Sequence, residues 1–146
     1  MMKLLNKKQK SNGGFSLVEL IVVIAIMVVL VAVLAPIFVR YIESSRRSTD
    51  VQNANAIAEG VLADAADNKI TASVSGAAVV AGTPSAMGTT PQVKGDAVDK
   101  EKNKGGFIFD YDKDKNVASV YVAADSGRAY NLATEKGAQD YKDKKD

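Results

Sequence analysis

Hydrophobic and polar positions change their pattern five times along this chain. Residues 1–14, MMKLLNKKQKSNGG, are polar and basic and close on Gly13-Gly14. From Phe15 to Val39 the chain reads FSLVELIVVIAIMVVLVAVLAPIFV, with Glu19 its one charge, and Leu20–Val39 is an uncharged run of 20 residues. At ~1.5 Å per residue such a run forms a helix ~30 Å long, the thickness of a bilayer's hydrocarbon core. The pattern therefore predicts a membrane helix. Beyond Val39 the period becomes amphipathic. Val51, Ala54, Ala58, Val61 and Ala65 recur at spacings of three and four, Ile57 and Leu62 widen the stripe, and Ser48, Asn53, Asn55, Glu59 and Asp64 are expected on the opposite face. Gly60 weakens this helix locally, and Asp67-Asn68-Lys69 is a stop, because Asn tolerates the left-handed conformation found at helix ends. Residues 15–67 as one helix predict a rod of ~80 Å.

Ile70–Pro91, rich in Ala, Gly, Ser, Thr and Val, reads as a loose loop with one short strand near Ala77–Ala81; Val93–Gly106 reads as a charged linker. The period then becomes two. Phe107, Phe109 and Tyr111 alternate along a strand, Lys113–Asn116 makes a turn, Val117–Ala124 a second strand, Asp125–Arg128 a turn and Ala129–Ala133 a third strand. The apolar face of this antiparallel meander can cover the amphipathic half of the helix. The predicted class is α+β: a long N-terminal helix packed on a small C-terminal antiparallel head. The charged tail from Asp140 is expected to fray.

Composition removes much chemistry. The 146 residues contain no His, Cys or Trp. Cys- or His-ligated metal sites, thiol nucleophiles, disulfides and Ser-His-Asp triads are thereby excluded. Hydrophobic residues make up 47% and charged residues 25%, as in folded chains rather than disordered ones. The net charge is +2, but four of the 19 basic residues lie before Gly14, which leaves 15 against 17 acidic residues in the rest. That balance predicts no specific nucleic-acid binding. No paired carboxylates or phosphate loop point to an enzyme, and no cofactor is expected.

Three ordinary readings compete for the N-terminus. A removed secretory signal needs an apolar region of ~7–15 residues before a small-residue site, and this run is longer. A lipoprotein signal needs a Cys. A single-pass anchor with an extracytoplasmic domain fits length and hydropathy. None of the three accounts for Gly-Gly on the basic side of the run together with a glutamate five positions past it. An acidic residue inside a membrane helix is costly and points to function.

The string Gly14-Phe15-Ser16-Leu17-Val18-Glu19-Leu20, after a Lys-rich leader and before a long apolar helix, resembles the prepilin motif of type IV pilins and the related pseudopilins. The resemblance covers residues 1 to about 45. It implies a leader, 1–14, removed by a membrane-embedded prepilin peptidase between Gly14 and Phe15, with methylation of the new Phe15 amine. It implies a membrane and fibre-core helix over 15–39 and makes the loop after the helix the family's variable one; the residue pattern itself divides the rest into an amphipathic half over 40–68, a loop and linker over 69–106, a meander over 107–134 and a charged tail over 135–146. The implied function is a structural subunit that waits in the membrane, meets an inner-membrane assembly platform and polymerises with copies of itself into a surface fibre for adhesion, motility or DNA uptake. A pseudopilin or minor pilin of a secretion or competence system is the alternative.

The residue chemistry suits these roles and also has plainer readings. Gly14 lets a protease approach the backbone closely, or is a flexible turn. Glu19, four residues after Phe15, is expected on the same helix face. The resemblance implies that it meets the Phe15 amine of a neighbouring subunit; otherwise it snorkels to the interface. Pro36 deprives the Ala32 carbonyl of its helical partner at ~3 kcal/mol. The resemblance makes it a bend; otherwise it is a tolerated kink. Asp110-x-Asp112-x-Asp114-x-Asn116 looks like the start of a calcium loop, but Lys115 and Tyr121 replace the Gly and Glu expected at its sixth and twelfth positions. A solvated turn is the expectation, with Asp110, Asp112 and Asp114 as weak metal candidates. The Cys pair that closes the head of many Gram-negative pilins is missing, which fits the looser heads of Gram-positive members.

Overall fold

A computed structural model describes residues 14–85, 88, 91–95, 106–123 and 129–143. The elements are α1 (Leu17–Ala66), β1 (Val74–Ala78), β2 (Ile108–Asp112), β3 (Val117–Ala123), β4 (Ala129–Asn131) and α2 (Glu135–Lys142). The fold is α+β, with a four-stranded sheet in the order β1-β2-β3-β4 in which every neighbouring pair is antiparallel. The chain divides into two units, one reaching Val39 and one beginning at Arg40.

In the first unit, every described residue is exposed. Phe15 is 86% exposed, and Leu17, Val28 and Phe38 all exceed 60%. Helix α1 is assigned without a break through Pro36.

The second unit has the core. Val51, Ala54, Ile57 and Val61 on α1 are buried with Val79, Phe107, Phe109, Tyr111, Val120, Val122, Tyr130, Leu132, Ala138 and Tyr141, while Ala58, Leu62 and Ala65 pack on its margin. The period-two alternation decides which sheet face is inward. Phe109 pairs with Val120, and all four inward residues Phe109, Tyr111, Val120 and Val122 are buried. Helix α1 ends through Asn68, which takes φ 58°. There the N–H of Lys69 donates to the Asp64 carbonyl at 2.8 Å and that of Asn68 to the Ala65 carbonyl at 3.1 Å. These two bonds form a Schellman end, which satisfies carbonyls that the helix itself leaves open.

Several expectations need correction. The helix starts at Leu17, not Phe15, because Ser16 caps it. The short strand expected near Ala77–Ala81 lies at Val74–Ala78 and joins the sheet, with Ala77 opposite Phe109 and Ala78 opposite Ile108. Its register shifts between Val74 and Ala77, where Gly76 takes φ 67° and its N–H donates to Asp110. With no Cβ, Gly adopts that backbone freely, so the bulge falls there. The strand expected over Ala129–Ala133 stops at Asn131, whose side chain and carbonyl accept from the N–H groups of Ala133 and Thr134 and turn the chain. The tail expected to fray from Asp140 instead begins inside a helix, Glu135–Lys142, while residues 144–146 lie outside the described residues. The Thr134 hydroxyl accepts from the Gly137 N–H as its N-cap, and Tyr141 is 1% exposed. A buried aromatic ring anchors that helix, which composition alone does not reveal. The turn expected at Asp125–Arg128 and most of the charged linker, residues 96–105, lie outside the described residues.

Candidate functional site

The sequence places its candidate site at the start of α1. Ser16, Leu17, Val18 and Glu19 have the S-x-x-E order of a capping box. The Ser16 Oγ accepts from the Val18 N–H at 3.3 Å, and Glu19 Oε2 accepts from the Ser16 N–H at 2.8 Å. Backbone donors that the first turn cannot satisfy are thus used, and the carboxylate lies at the positive end of the helix dipole. Gly14 has open space where a Cβ would stand. Phe15 precedes the first turn, so the one-face relation expected of Phe15 and Glu19 is not formed in the uncut chain. Pro36 lies within α1, on the exposed apolar stretch.

The three candidate metal ligands are engaged elsewhere or point to solvent. Asp110 Oδ1 accepts from the Gly76 N–H at 2.6 Å. Asp112 Oδ1 accepts from the N–H groups of Asp114 and Lys115, and its Oδ2 from the Lys115 ammonium at 3.0 Å. The Lys115 ammonium, then the Lys115 N–H, hold the Asp112 carboxyl below the usual carboxylate range. Asp114 is exposed in the turn that Asn116 closes at φ 52°. Among the described residues no group of three or more acidic, Cys or His side chains converges to hold a metal ion.

A second constellation escaped the sequence reading. Glu43, Arg47, Asp50 and Asp64 on α1 are all buried. Arg47 Nε donates to Glu43 Oε1 at 2.7 Å, and its guanidinium lies 6.0 Å from the centre of the Tyr141 ring. Asp50 accepts three hydrogen bonds: from the N–H groups of Lys94 and Gly95, each at 2.8 Å, and from the Tyr141 hydroxyl at 2.9 Å. A Cβ at Gly95 would collide with that hydroxyl, so the loop can approach only as glycine. Burial first, and the Asp50 charge second, raise the Tyr141 pKa well above its ordinary value. Asp64, expected on the exposed face, is 6% exposed; its Oδ2 accepts from the Ser85 N–H at 2.6 Å and its Oδ1 from the Lys69 ammonium at 3.4 Å. The Ser85 N–H is the main cause of its lowered pKa.

A signal for these residues does exist. Glu43, Arg47, Asp50, Ala54, Ile57, Val61 and Asp64 follow one another at alternating spacings of four and three. The charged residues continue the apolar stripe in phase at both ends. Their geometry supports a structural role, as a polar staple joining α1, the 94–95 loop and α2.

A family described as the prokaryotic N-terminal methylation motif matches residues 9–35, which span the capping box and most of the exposed apolar stretch. Prepilin peptidase-dependent protein A of Clostridium perfringens (strain 13 / type A) is 32% identical over 127 residues, covering 86% of this chain and 87% of that protein. No solved structure matches. The chain is thus of the class that has a prepilin-type N-terminal motif on an α+β head, and it belongs to the type IV pilin-like family. That family is one of structural, pilin-like proteins and not an enzyme family.

Proposed function

We propose that this chain is a structural subunit of a type IV pilus. A prepilin peptidase cuts it between Gly14 and Phe15 and methylates the Phe15 amine. Residues 15–39 then hold it in the membrane until an assembly platform draws it into a helical homopolymer. The observation that carries this reading is the uniform exposure of the apolar part of α1, beside a head whose core closes on itself. Among the described residues, α1 is the one helix long and apolar enough to cross a membrane. Transfer of that much apolar surface out of water is favourable in a bilayer and equally in a bundle of like helices, so one segment serves both states.

Glu19 is the charged partner in the assembled state. Once a subunit leaves the membrane, its Phe15 amine enters an apolar bundle, where an uncompensated charge costs several kcal/mol. Glu19 is the only acidic side chain between Phe15 and Val39. Pro36 gives the bundle a place to bend, since the Ala32 carbonyl has no helical N–H to accept from.

The test is the intact mass and N-terminal sequence of the protein from its own cells, taken from membranes and from sheared surface fibres. A chain beginning at methylated Phe15 and abundant in fibres is expected. Met1 or Met2 retained on surface protein overturns the processing step and leaves a single-pass anchor. Processed protein absent from sheared fibres assigns the chain to the pseudopilins or minor pilins.

A further inference from the structure

The positive charges that follow the apolar stretch are of two kinds. Arg47 is 3% exposed, bonded to Glu43 and held over the Tyr141 ring, so its charge is used inside the head. Arg40 and Arg46 are exposed, and neither has an ion-pair partner among the described residues. Tyr41 beside them is 71% exposed. All three stand just past Val39, the last residue of the uncharged run.

In a surface-fibre subunit, whose head lies outside the cytoplasm, this placement opposes the usual bias of membrane helices, whose basic flank faces the cytoplasm. Removal of residues 1–14 takes away Lys3, Lys7, Lys8 and Lys10, and no basic side chain occurs from Phe15 to Val39. The cut chain then has no basic side chain before Arg40, and Arg40, Arg46 and Arg47 stand on the flank that leads into the head. Depth along α1 indicates what they meet. Arg46 lies ~9 Å beyond Arg40 at ~1.5 Å per residue. The polar layer on one side of a bilayer is ~5–8 Å thick, and arginine stems reach several ångströms toward or away from it. With Val39 at the hydrocarbon edge, both guanidiniums reach the layer of headgroup phosphates, which they can bind in bidentate fashion. A tyrosine ring prefers the same layer. A second copy packed in register offers little in exchange, because the nearest carboxylates on α1, Glu43 and Asp50, are buried and engaged.

We propose that Arg40, Tyr41 and Arg46 form a collar that binds anionic phospholipid headgroups and sets the depth of the unassembled subunit in the membrane. The proposal rests on the reading of residues 15–39 as a membrane segment. Anionic headgroups hold the exit side of the helix at the interface while the apolar run fills the core.

The absence of tryptophan supplies a clean probe. The full chain with Tyr41→Trp is reconstituted into phosphatidylcholine vesicles containing a trace of dansyl-labelled phosphatidylglycerol or dansyl-labelled phosphatidylcholine. Energy transfer from Trp then reports which lipid is enriched at the collar. Transfer to the anionic label is expected to exceed that to the neutral label, with an enrichment of about fivefold per arginine. Arg40→Gln with Arg46→Gln should equalise the two labels, and Arg40→Lys with Arg46→Lys should restore part of the difference. Equal transfer to both labels from membrane-embedded protein overturns the proposal and leaves the membrane segment standing, as does an unchanged preference in the double Gln variant. Protein that fails to float with either vesicle overturns the membrane segment itself.

Discussion

The Tyr141 hydroxyl donates a hydrogen bond to Asp50 Oδ2 at 2.9 Å, joining α2 to α1 across 91 residues of chain. The two backbone donors of the 94–95 loop complete the shell of that carboxylate. In a head without cysteine, this contact links segments far apart in sequence, as a disulfide does elsewhere. It depends on burial, since Asp50 is 0% and Tyr141 1% exposed.

Removing the link should be costly. Tyr141→Phe takes away one donor to a buried charge, worth about 1.5–3 kcal/mol, and leaves the ring packing in place. In a head of this size that corresponds to a fall in Tm of roughly 10 °C. Asp50→Ala leaves two N–H groups and a hydroxyl without an acceptor and should cost about 3 kcal/mol or more. Thermal melts of the two variants beside the wild type check the order.

The same contact predicts alkaline sensitivity. The Tyr141 pKa is raised in the folded head above its ordinary value of 10.0. Its contribution is therefore complete below pH 10 and is lost as the pH rises from there toward the folded value, because the unfolded chain ionises first. Wild-type Tm should fall between pH 9 and pH 11 more steeply than that of Tyr141→Phe. Parallel curves would show that the hydroxyl is not buried against Asp50.

A fragment of residues 42–146 should be soluble and fold with a single cooperative transition. It lacks the exposed run but keeps every core residue from Val51 to Tyr141. Circular dichroism and analytical ultracentrifugation test this. Aggregation, or the absence of a melting transition, would mean that the head needs its stem or its neighbours.

Glu19 variants should separate insertion from assembly. Removing a charge from a membrane segment cannot hinder insertion, since an acidic residue costs up to ~2.5–3.5 kcal/mol at the bilayer centre and less near a helix end. Glu19→Gln keeps an oxygen able to accept from the Ser16 N–H, so the capping box survives while the charge is lost. Both Glu19→Gln and Glu19→Ala should be cut and inserted normally. Both should lower sheared-fibre yield by about tenfold or more, because only ~1.4 kcal/mol per added subunit is a tenfold change. Normal fibres from Glu19→Gln would limit the residue's role to capping its own helix.

Calcium should leave the head unchanged. Asp110 and Asp112 already accept from Gly76, Asp114 and Lys115. A site whose Kd equals the added concentration would stabilise by about 0.4 kcal/mol, or roughly 2 °C. A larger rise in Tm at millimolar calcium would show that the turn rearranges into a metal loop.

The elements that the chain announces by itself depend on near neighbours. A run of uncharged residues makes an exposed apolar helix whatever follows it. Asn68 allows its left-handed end, and alternation at Phe107, Phe109 and Tyr111 turns one sheet face inward; each acts over a few residues. Tertiary structure decided the rest. Nothing local marks Asp50, and Asp64 reads as a solvated helix position, because burying a carboxylate is unfavourable until donors surround it. Those donors come from Lys94, Gly95 and Tyr141 for the one and from Ser85 for the other, 21 to 91 residues away. The C-terminal helix was hidden for the same reason. Its eight residues are largely polar, and a helix that short is marginal alone; it persists because Tyr141 and Ala138 are buried in the core of the head.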